Sequence, residues 1–264
     1  MKPACSTVSF AKPMAEALLE VSRLGFSHAD LVAIPGFRQA YPALMARDPE
    51  GQARELKAAL AAAHLSPSTF NVNVPPFPDR TAEACAGREA EWRGLAAVMK
   101  ALGMRVASFY PGYLKQGEPW HAALDTIAVT AAEMMAAGSA LGVEFVIEAH
   151  YDTPVCSPEQ VRGLLSHHPA VRFAYDPSHF AMLGVSPNDT LPVLDRASHV
   201  HVRDASPGRM HVKCGTGTVD MPWLVSALKE RRYGGFIALE CLPDAKWDLD
   251  EDITCLKKLL ENLA

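Results

Sequence analysis

The sequence predicts a (β/α)8 barrel that spans residues 1–264 as one domain. Three observations support this prediction. Short apolar runs typical of strands alternate along the chain with longer segments of helical periodicity. There are eight such strand–helix pairs, and strands that are joined through helices pair in parallel. The length of 264 residues, 49% of them apolar, matches the usual size of such a barrel, about 250 residues.

The predicted strands are short and rich in β-branched or aromatic residues, and turn residues separate them. They cover residues 5–10, 29–34, 68–72, 106–110, 145–148, 171–176, 198–203 and 236–240. A doubly wound open sheet is the alternative arrangement of the same elements. Against it, no G-x-G-x-x-G pattern opens the first turn from strand to helix.

The predicted helices follow the strands and several of them end at a glycine. They cover residues 13–24, 48–63, 81–102, 119–141, 158–166, 189–194, 221–232 and 248–263. Gly25, Gly103 and Gly142 stand where the apolar periodicity of three helices stops, as glycines do after helix ends. The longest loops, at residues 73–79, 111–118 and 204–219, all follow strands, and in a barrel they lie on one face.

Composition and charge restrict the partners. The formal net charge is -5, the pI is near 6.1, and no basic run is present, which argues against a nucleic-acid partner. No apolar stretch reaches the ~20 residues that span a membrane, and the N-terminus lacks the pattern of a signal peptide. We therefore expect a cytoplasmic protein. The sequence is compatible with a homo-oligomer and does not decide the number of subunits.

The six cysteines show no spacing typical of a zinc finger or of a redox motif. They stand at positions 5, 85, 156, 214, 241 and 255, and no two of them form a C-x-x-C pair. In a reducing cytosol we expect all six to be free thiols, buried or partly buried.

Four predicted strands in the second half of the chain end in residues that bind metals: Glu148, Asp176, His201 and Glu240. Side chains alternate between the two faces of a strand, so each of these residues shares a face with the residue two positions earlier. In a parallel barrel the four side chains therefore meet at one end. Each residue also has an ordinary alternative role, such as a turn cap for Asp176 or a core histidine for His201. The joint pattern favours a shared site.

A divalent cation would explain this cluster. Two carboxylates 4 Å apart repel by about 4 kcal/mol at an effective dielectric of 20, and a cation removes that cost. Three carboxylates with one imidazole suit Mn²⁺ or Mg²⁺ best, and Co²⁺ or Zn²⁺ are also compatible. Such a cation polarises a carbonyl, and a neighbouring carboxylate can then remove a proton from the adjacent carbon to give an enediolate.

Other polar residues follow the same strands. His150 shares the face of Glu148 and lies farther out, and His179 comes three residues after Asp176; we assign both to substrate binding, with a helix-capping role as the alternative for His179. Arg203 continues the face of His201 and can balance the negative charge or bind an anionic group. Asp204 points the other way and is expected to fix the loop. His199 is expected in a deeper layer of the barrel interior. Pocket linings from earlier loops are expected at positions 71, 73, 110 and 120.

The sequence resembles the xylose-isomerase-like barrel superfamily, in its sugar phosphate isomerase/epimerase branch. The segments that resemble it are Ile147-Glu148-Ala149-His150, Tyr175-Asp176-Pro177-Ser178-His179, His199-Val200-His201-Val202-Arg203-Asp204, Gly215-Thr216-Gly217-Thr218-Val219-Asp220 and Ala238-Leu239-Glu240. The resemblance implies that Glu148, Asp176, His201 and Glu240 bind one metal ion. It also implies that Glu148 and Glu240 move protons on opposite faces of the substrate.

The resemblance has further consequences for the site. It matches His179, and also Arg209 in the loop after the seventh strand, to residues that contact substrate, although the loop spacing around Arg209 differs. Many relatives carry asparagine where this chain has Ala149. The DNA-repair endonucleases of the superfamily hold three zinc ions with histidines after strands three and four. Asn71, Asn73 and Tyr110 stand there instead, which argues against that activity.

The sequence thus predicts a metal-dependent isomerase or epimerase of a small ketose, keto-polyol or hydroxy-keto acid. Glu148 and Glu240 are the acid/base pair of this prediction. A metal-dependent dehydratase of the inosose or dehydroshikimate type is the alternative, because the same site can expel a β-hydroxyl after it removes the α-proton. A non-catalytic sugar-binding barrel is a further alternative.

Overall fold

Eight parallel strands close into a barrel in chain order, and the last strand pairs with the first. The structure is a computed structural model and describes residues 1–37, 39–113 and 119–263. The strands are β1 (Lys2–Ser6), β2 (His28–Ala33), β3 (Ser66–Asn73), β4 (Val106–Tyr110), β5 (Glu144–Glu148), β6 (Phe173–Tyr175), β7 (Ala197–Val202) and β8 (Phe236–Leu239). The predicted (β/α)8 barrel is confirmed, and the open sheet is excluded.

Helices connect the strands on the outside of the barrel. They are α1 (Met14–Arg23), α2 (Pro42–Arg47), α3 (Pro49–Ala62), α4 (Ala82–Leu102), α5 (Trp120–Leu141), α6 (Pro158–His167), α7 (Pro177–Met182), α8 (Leu191–Leu194), α9 (Met221–Glu230) and α10 (Leu249–Leu263). Two 3-10 helices cover Thr7–Ser9 and Pro187–Thr190. Among the described helices, none combines the length and the apolar character that crossing a membrane requires.

The two faces of the strands separate as the alternation predicts. The large apolar cluster between barrel and helices contains one side chain of each alternating pair, namely Phe145, Ile147, Phe173, Tyr175, Val200, Val202, Ile237 and Leu239. Val146, Ala174 and Ala238 are fully buried and lie outside that cluster. The residues on their face therefore point into the barrel, and Glu148 and His201 share that direction.

Several boundaries differ from the prediction for local reasons. The first strand ends at Ser6 rather than at residue 10, because the Ser6 hydroxyl accepts the backbone N–H of Val8 and starts a 3-10 turn. Sequence periodicity missed α2 and α7, which have six residues each and begin at Pro42 and Pro177. Proline is favourable at the first position of a helix, but six residues are too few to show a clear period.

The loops at residues 73–79 and 204–219 follow β3 and β7, as predicted, and of the third predicted loop, residues 114–118 lie outside the described residues. Gly103 and Gly142 end α4 and α5 with φ values of 71° and 76°. Because a residue with a Cβ rarely adopts this left-handed conformation, the two glycines fix where the helices end.

One prediction about the cysteines is wrong. Cys214, in the loop after β7, forms a disulfide with Cys255 in α10, 41 residues away. Cys5, Cys85, Cys156 and Cys241 are free thiols, as expected. Local spacing gave no sign of this disulfide, because the fold brings the two positions together. Disulfides are rare in reducing compartments, so this bond counts against the cytoplasmic location, which stays a prediction.

Candidate metal centre and active site

The predicted metal ligands lie together at the carboxyl ends of the strands. Glu148 ends β5, Asp176 follows β6, His201 lies near the end of β7 and Glu240 follows β8. Donor atoms of Glu148, His201 and Glu240 lie within 4.8 Å of one another, and those of Glu148, Asp176 and His179 do so as well. All five side chains are buried. The two groups share Glu148, so the structure brings the four predicted ligands into one cluster.

His201 lies between two layers of carboxylates. Its Nδ1 atom is 3.2 Å from Oε1 of Glu148 and 3.7 Å from Oε2 of Glu240. Its Nε2 atom is 3.3 Å from Oδ2 of Asp30, deeper in the barrel. The imidazole therefore presents Nδ1, and not Nε2, to the predicted ligands.

Arg203 bridges two of the predicted ligands. Its Nη1 atom donates to Oε2 of Glu240 at 2.7 Å and to the Glu240 carbonyl at 3.0 Å. Its Nη2 atom is 3.2 Å from Oδ2 of Asp176. Arg203 is buried, so its positive charge balances these carboxylates without competition from water. Charge balance, one of the roles expected for Arg203, matches this position.

Two histidines cover the outer side of the cluster. Nε2 of His179 is 3.7 Å from both Oε1 of Glu148 and Oδ2 of Asp176. The ring of His150 lies 3.9 Å from the ring of His179, measured between centroids, and its Nδ1 contacts Asp152. His150 is only partly buried, which places it at the rim of the site.

Opposing effects set the pKa values in the cluster. Burial disfavours a charged imidazole at His201, but the carboxylates of Glu240, Asp30 and Glu148 outweigh this effect and raise the pKa of His201 well above its usual value. Burial acts to raise the pKa of Glu148, yet the adjacent imidazoles of His179 and His201 bring that pKa well below its usual value. Arg203 is the largest of the influences that overcome burial at Asp176 and lower the pKa of its carboxyl. The carboxylates of Glu148 and Asp176 are therefore ionised at neutral pH.

His179 has the opposite behaviour from His201. Burial, with a further contribution from the nearby His150, lowers the pKa of His179 to about 4. Its imidazole is therefore neutral at neutral pH and can either donate or accept a hydrogen bond.

Not every predicted site residue joins the cluster. The side chain of Arg209 is exposed, and its described hydrogen bonds are those of its backbone with Ser206. Asn71 does reach the site, because its Nδ2 donates to Oε1 of Glu240 at 2.8 Å. Tyr110 donates to Oδ1 of Asp152 at 3.1 Å, beside His150. Trp120 starts α5 and packs against the apolar cluster outside the barrel.

Asp204 fixes the loop after β7, as expected. Its carboxylate accepts backbone N–H groups of Ala205, Gly215 and Gly217 at 2.9–3.0 Å. A Cβ atom on Gly217 would lie 2.0 Å from Oδ1 of Asp204, so the loop needs glycine at this position. The contact holds the loop close to the ligands.

Asp30 is a member of the site that the sequence analysis missed. It lies in the middle of β2, fully buried, between apolar neighbours on both sides. Asp30 and Val32 lie outside the apolar cluster that holds Ala29, Leu31 and Ala33, so Asp30 points into the barrel. A charged residue inside an apolar strand was the available signal, because burying a carboxylate without a partner is costly.

The side chains fit a divalent cation. Oδ2 of Asp176 is buried and accepts no hydrogen bond of good geometry among the described residues, although Nη2 of Arg203 lies 3.2 Å away as an ion pair. Buried polar atoms rarely lack a partner, so this oxygen suits a ligand that is not a protein donor. Carboxylate oxygens with one imidazole nitrogen form a donor set for a divalent metal.

The fold has close counterparts among solved structures. A D-tagatose 3-epimerase-like protein superposes with a TM-score of 0.78 at 17% identity, with 100% of this chain and 98% of that chain covered. An IolI protein with a bound zinc atom gives a TM-score of 0.76 at 18% identity, over 100% and 98% of the two chains. D-psicose 3-epimerase from Clostridium cellulolyticum H10, solved with D-tagatose, gives 0.75 at 13% identity, over 100% and 99%. At these identities the likeness establishes the fold.

Sequence comparison identifies the family. None of the curated proteins matched the chain with significant similarity. A sequence profile described as xylose isomerase-like TIM barrel matches residues 18–259, which is most of the chain and includes every predicted metal ligand. The chain therefore belongs to the xylose isomerase-like TIM barrel family.

Proposed function

We propose that the protein is a metal-dependent isomerase or epimerase of a small ketose, keto-polyol or hydroxy-keto acid. One observation supports this proposal most: Glu148 and Glu240 approach the same Nδ1 atom of His201, at 3.2 and 3.7 Å. The two glutamates come from β5 and β8, which β6 and β7 separate. Two carboxylates on strands so far apart can address one substrate carbon from two sides.

Glu148, Asp176, His201 and Glu240 would hold the cation of this proposal. Their oxygen-rich donor set favours Mn²⁺ or Mg²⁺, while Co²⁺ and the Zn²⁺ carried by the IolI neighbour are also compatible. When bound, the cation supplies Lewis acidity, which polarises the substrate carbonyl and makes the adjacent C–H more acidic.

The protein's own side chains then move the proton. Glu148 is ionised at neutral pH because the adjacent imidazoles of His179 and His201 lower its pKa, so it can accept the proton α to the carbonyl. The substrate becomes an enediolate. If Glu240 starts the cycle protonated, its proton goes to the other face of the same carbon and gives the epimer, after which proton exchange with water restores both glutamates. Return of the proton on Glu148 to the former carbonyl carbon, with a hydroxyl proton moved between the two substrate oxygens, gives the isomer. Both outcomes return the substrate with all its atoms.

Other residues position these groups. Asn71 and Arg203 each donate to one carboxylate oxygen of Glu240, which fixes its orientation. His179 and His150 lie over Glu148 and are assigned to substrate hydroxyls. Arg209 is exposed in the loop after β7 and lies outside the cluster, so its assignment to substrate rests on the sequence resemblance alone. The neighbours described as D-psicose and D-tagatose-type 3-epimerases agree with a ketose substrate.

Deuterium exchange tests the reaction type. The purified protein, loaded with Mn²⁺, would be incubated in D₂O with a panel of ketoses and hydroxy-keto acids and followed by NMR. Epimerisation predicts deuterium at the α-carbon, and isomerisation predicts it at the former carbonyl carbon, in both cases with no loss of water. Loss of water with a new conjugated absorbance would instead identify a dehydratase. No exchange with any panel member, despite tight binding of one of them, would identify a sugar-binding barrel.

Glutamine variants test the acid/base pair. Glu148→Gln and Glu240→Gln should each lower kcat by about 10²–10⁴-fold, the usual contribution of a positioned acid or base. Metal content is measured alongside by elemental analysis, so that loss of the cation is distinguished from loss of the base. Glu144→Gln is the matched control, because Glu144 begins the same strand and its partners are Ser198 and Arg172. Full activity in Glu148→Gln would contradict the proposal.

A further inference from the structure

Asp30 is buried directly beneath the predicted metal ligands and contacts two histidines of β7. Its Oδ2 atom is 3.3 Å from Nε2 of His201, and its Oδ1 atom is 3.6 Å from Nε2 of His199. Asp30 and both imidazoles are at most 1% exposed. The carboxylate therefore interacts with the histidines in a region that water does not reach.

The hydrogen-bond geometry selects one tautomer of His201. A neutral imidazole has one N–H donor and one nitrogen lone pair. The carboxylate of Asp30 accepts hydrogen bonds and cannot donate one while ionised, so Nε2 of His201 must carry the proton. In the neutral form of His201, which is the form that can bind a metal, the lone pair is then on Nδ1, which faces Glu148 and Glu240, and a bound cation takes the place of the second proton that these carboxylates otherwise favour there.

His199 completes the same arrangement. Its Nδ1 atom lies 3.0 Å from the hydroxyl of Thr69. If Thr69 donates to that nitrogen, Nε2 of His199 carries the proton and faces Oδ1 of Asp30. Asp30 then has the hydrogen bond from His201 on Oδ2, while Nε2 of His199 lies 3.6 Å from Oδ1, beyond hydrogen-bond distance, and adds an electrostatic contact on the other side of the carboxylate.

We propose that Asp30 is a positioning residue that holds His201 in the tautomer and orientation needed to bind the catalytic cation through Nδ1. This inference rests on the proposed function, since it assumes a cation held by Glu148, Asp176, His201 and Glu240. An ionised carboxylate behind a histidine ligand also makes the imidazole a stronger electron donor. Removing such an outer partner weakens metal binding by about 10–100-fold.

The same three residues could be taken for a second metal site, because donor atoms of Asp30, His199 and His201 lie within 4.8 Å of one another. That assignment needs the lone pair of Nε2 of His201, while the upper site needs the lone pair of Nδ1. A neutral imidazole cannot supply both. The number of cations bound per chain therefore separates the two assignments.

Metal titration of an Asp30 variant is the test. Asp30→Asn keeps the size of the side chain but removes its negative charge and one of its two acceptor oxygens, so the contact with Nε2 of His201 is weakened. Metal-free wild-type protein and variant would be titrated with Mn²⁺ by calorimetry at one pH, and with Co²⁺ while its visible absorption is recorded. We expect one cation per chain in both proteins, a Kd about 10–100-fold higher for Asp30→Asn, and a changed Co²⁺ spectrum.

Thr69→Val is the matched control. It removes the other partner of His199 but leaves Asp30 and His201 in place. Its Kd should stay within about threefold of the wild-type value, whatever it does to thermal stability. An unchanged Kd in Asp30→Asn, or two cations per wild-type chain of which one is lost in that variant, would overturn the positioning role. Wild-type protein that binds no cation at all would refute the proposed function itself.

A measurement on the wild-type protein covers the case in which Asp30→Asn does not fold. In Zn²⁺-loaded protein labelled with ¹⁵N-histidine, the ring of His201 should carry its proton on Nε2, and that proton should exchange slowly with water. A His201 ring that binds Zn²⁺ through Nε2 would refute the inference.

Discussion

Replacement of Arg203 by methionine should strongly destabilise the metal-free protein. Arg203 is buried, and its guanidinium lies 2.7 Å from an oxygen of Glu240 and 3.2 Å from one of Asp176. Without this cation two buried carboxylates lose their nearest positive charge. Breaking a buried ion pair by removal of one partner costs about 3–5 kcal/mol. For a chain of this length, about 2 °C of Tm corresponds to 1 kcal/mol, so we expect Tm to fall by roughly 6–10 °C.

The effect should depend on metal and on pH. A bound divalent cation supplies positive charge to the same carboxylates, so saturating Mn²⁺ should narrow the difference in Tm between Arg203→Met and wild type. Arg203 also lowers the pKa of Asp176 in the folded protein. A depressed carboxyl pKa stabilises the fold above the unfolded value of 3.8 and loses that effect as the pH falls through the folded pKa. The difference in Tm between wild type and Arg203→Met should therefore be largest near neutral pH and become smaller in acid.

Differential scanning fluorimetry with and without Mn²⁺, from pH 2 to pH 8, measures these effects, because the loss of stabilisation falls below pH 3.8. Arg172→Met is the control, because the ion pair of Arg172 with Glu144 is about 40% exposed on both sides. Exposed pairs contribute about 0–1 kcal/mol, so its Tm should change little. A loss below 2 °C in metal-free Arg203→Met, or a loss that Mn²⁺ leaves unchanged, would refute the charge-balance argument.

Three further predictions concern the loop after β7. Asp204→Ala should lower the free energy of unfolding in urea by about 3 kcal/mol, because backbone N–H groups of Gly215 and Gly217 lose their acceptor; a change below 1 kcal/mol would contradict the assigned role. Gly217→Ala should lower the free energy of unfolding by about 1–3 kcal/mol in the same assay, since its Cβ would lie 2.0 Å from Asp204. In the control Gly234→Ala, the added Cβ meets nothing within 4 Å, so the free energy of unfolding should change by less than about 0.5 kcal/mol. Cys255→Ser should lower the free energy of unfolding by about 2–4 kcal/mol, because it removes the disulfide with Cys214. Wild-type protein denatured without reductant should contain four titratable thiols, and a count of six would exclude the disulfide.

Local sequence patterns were enough to predict the barrel and the end of it that holds the site. Strand alternation is a local property, so the sequence could place Glu148, Asp176, His201 and Glu240 on the inner face at the ends of their strands. It also placed Asp204 on the other face, as a residue that fixes the loop. The structure agrees with these positions, while the metal-binding and catalytic roles of the four ligands stay predictions.

Contacts between distant segments could not be predicted in this way. His201 and Asp30 are 171 residues apart, and the stagger of β2 and β7 across the closed barrel decides that they touch. Arg203 and Arg209 both follow β7 in the sequence, yet Arg203 is buried between Glu240 and Asp176 while Arg209 is exposed. The short helices α2 and α7 escaped detection because six residues show no clear period.

The sequence by itself determined which residue types point into the barrel and at which end, because the direction of a side chain along a strand follows from its position in that strand. Only the tertiary structure decided which of those side chains share charge and hydrogen bonds, such as Arg203 with two carboxylates and Asp30 with His201. The physical reason is that an interaction between two side chains depends on their separation in space, which barrel closure sets and which local sequence does not encode.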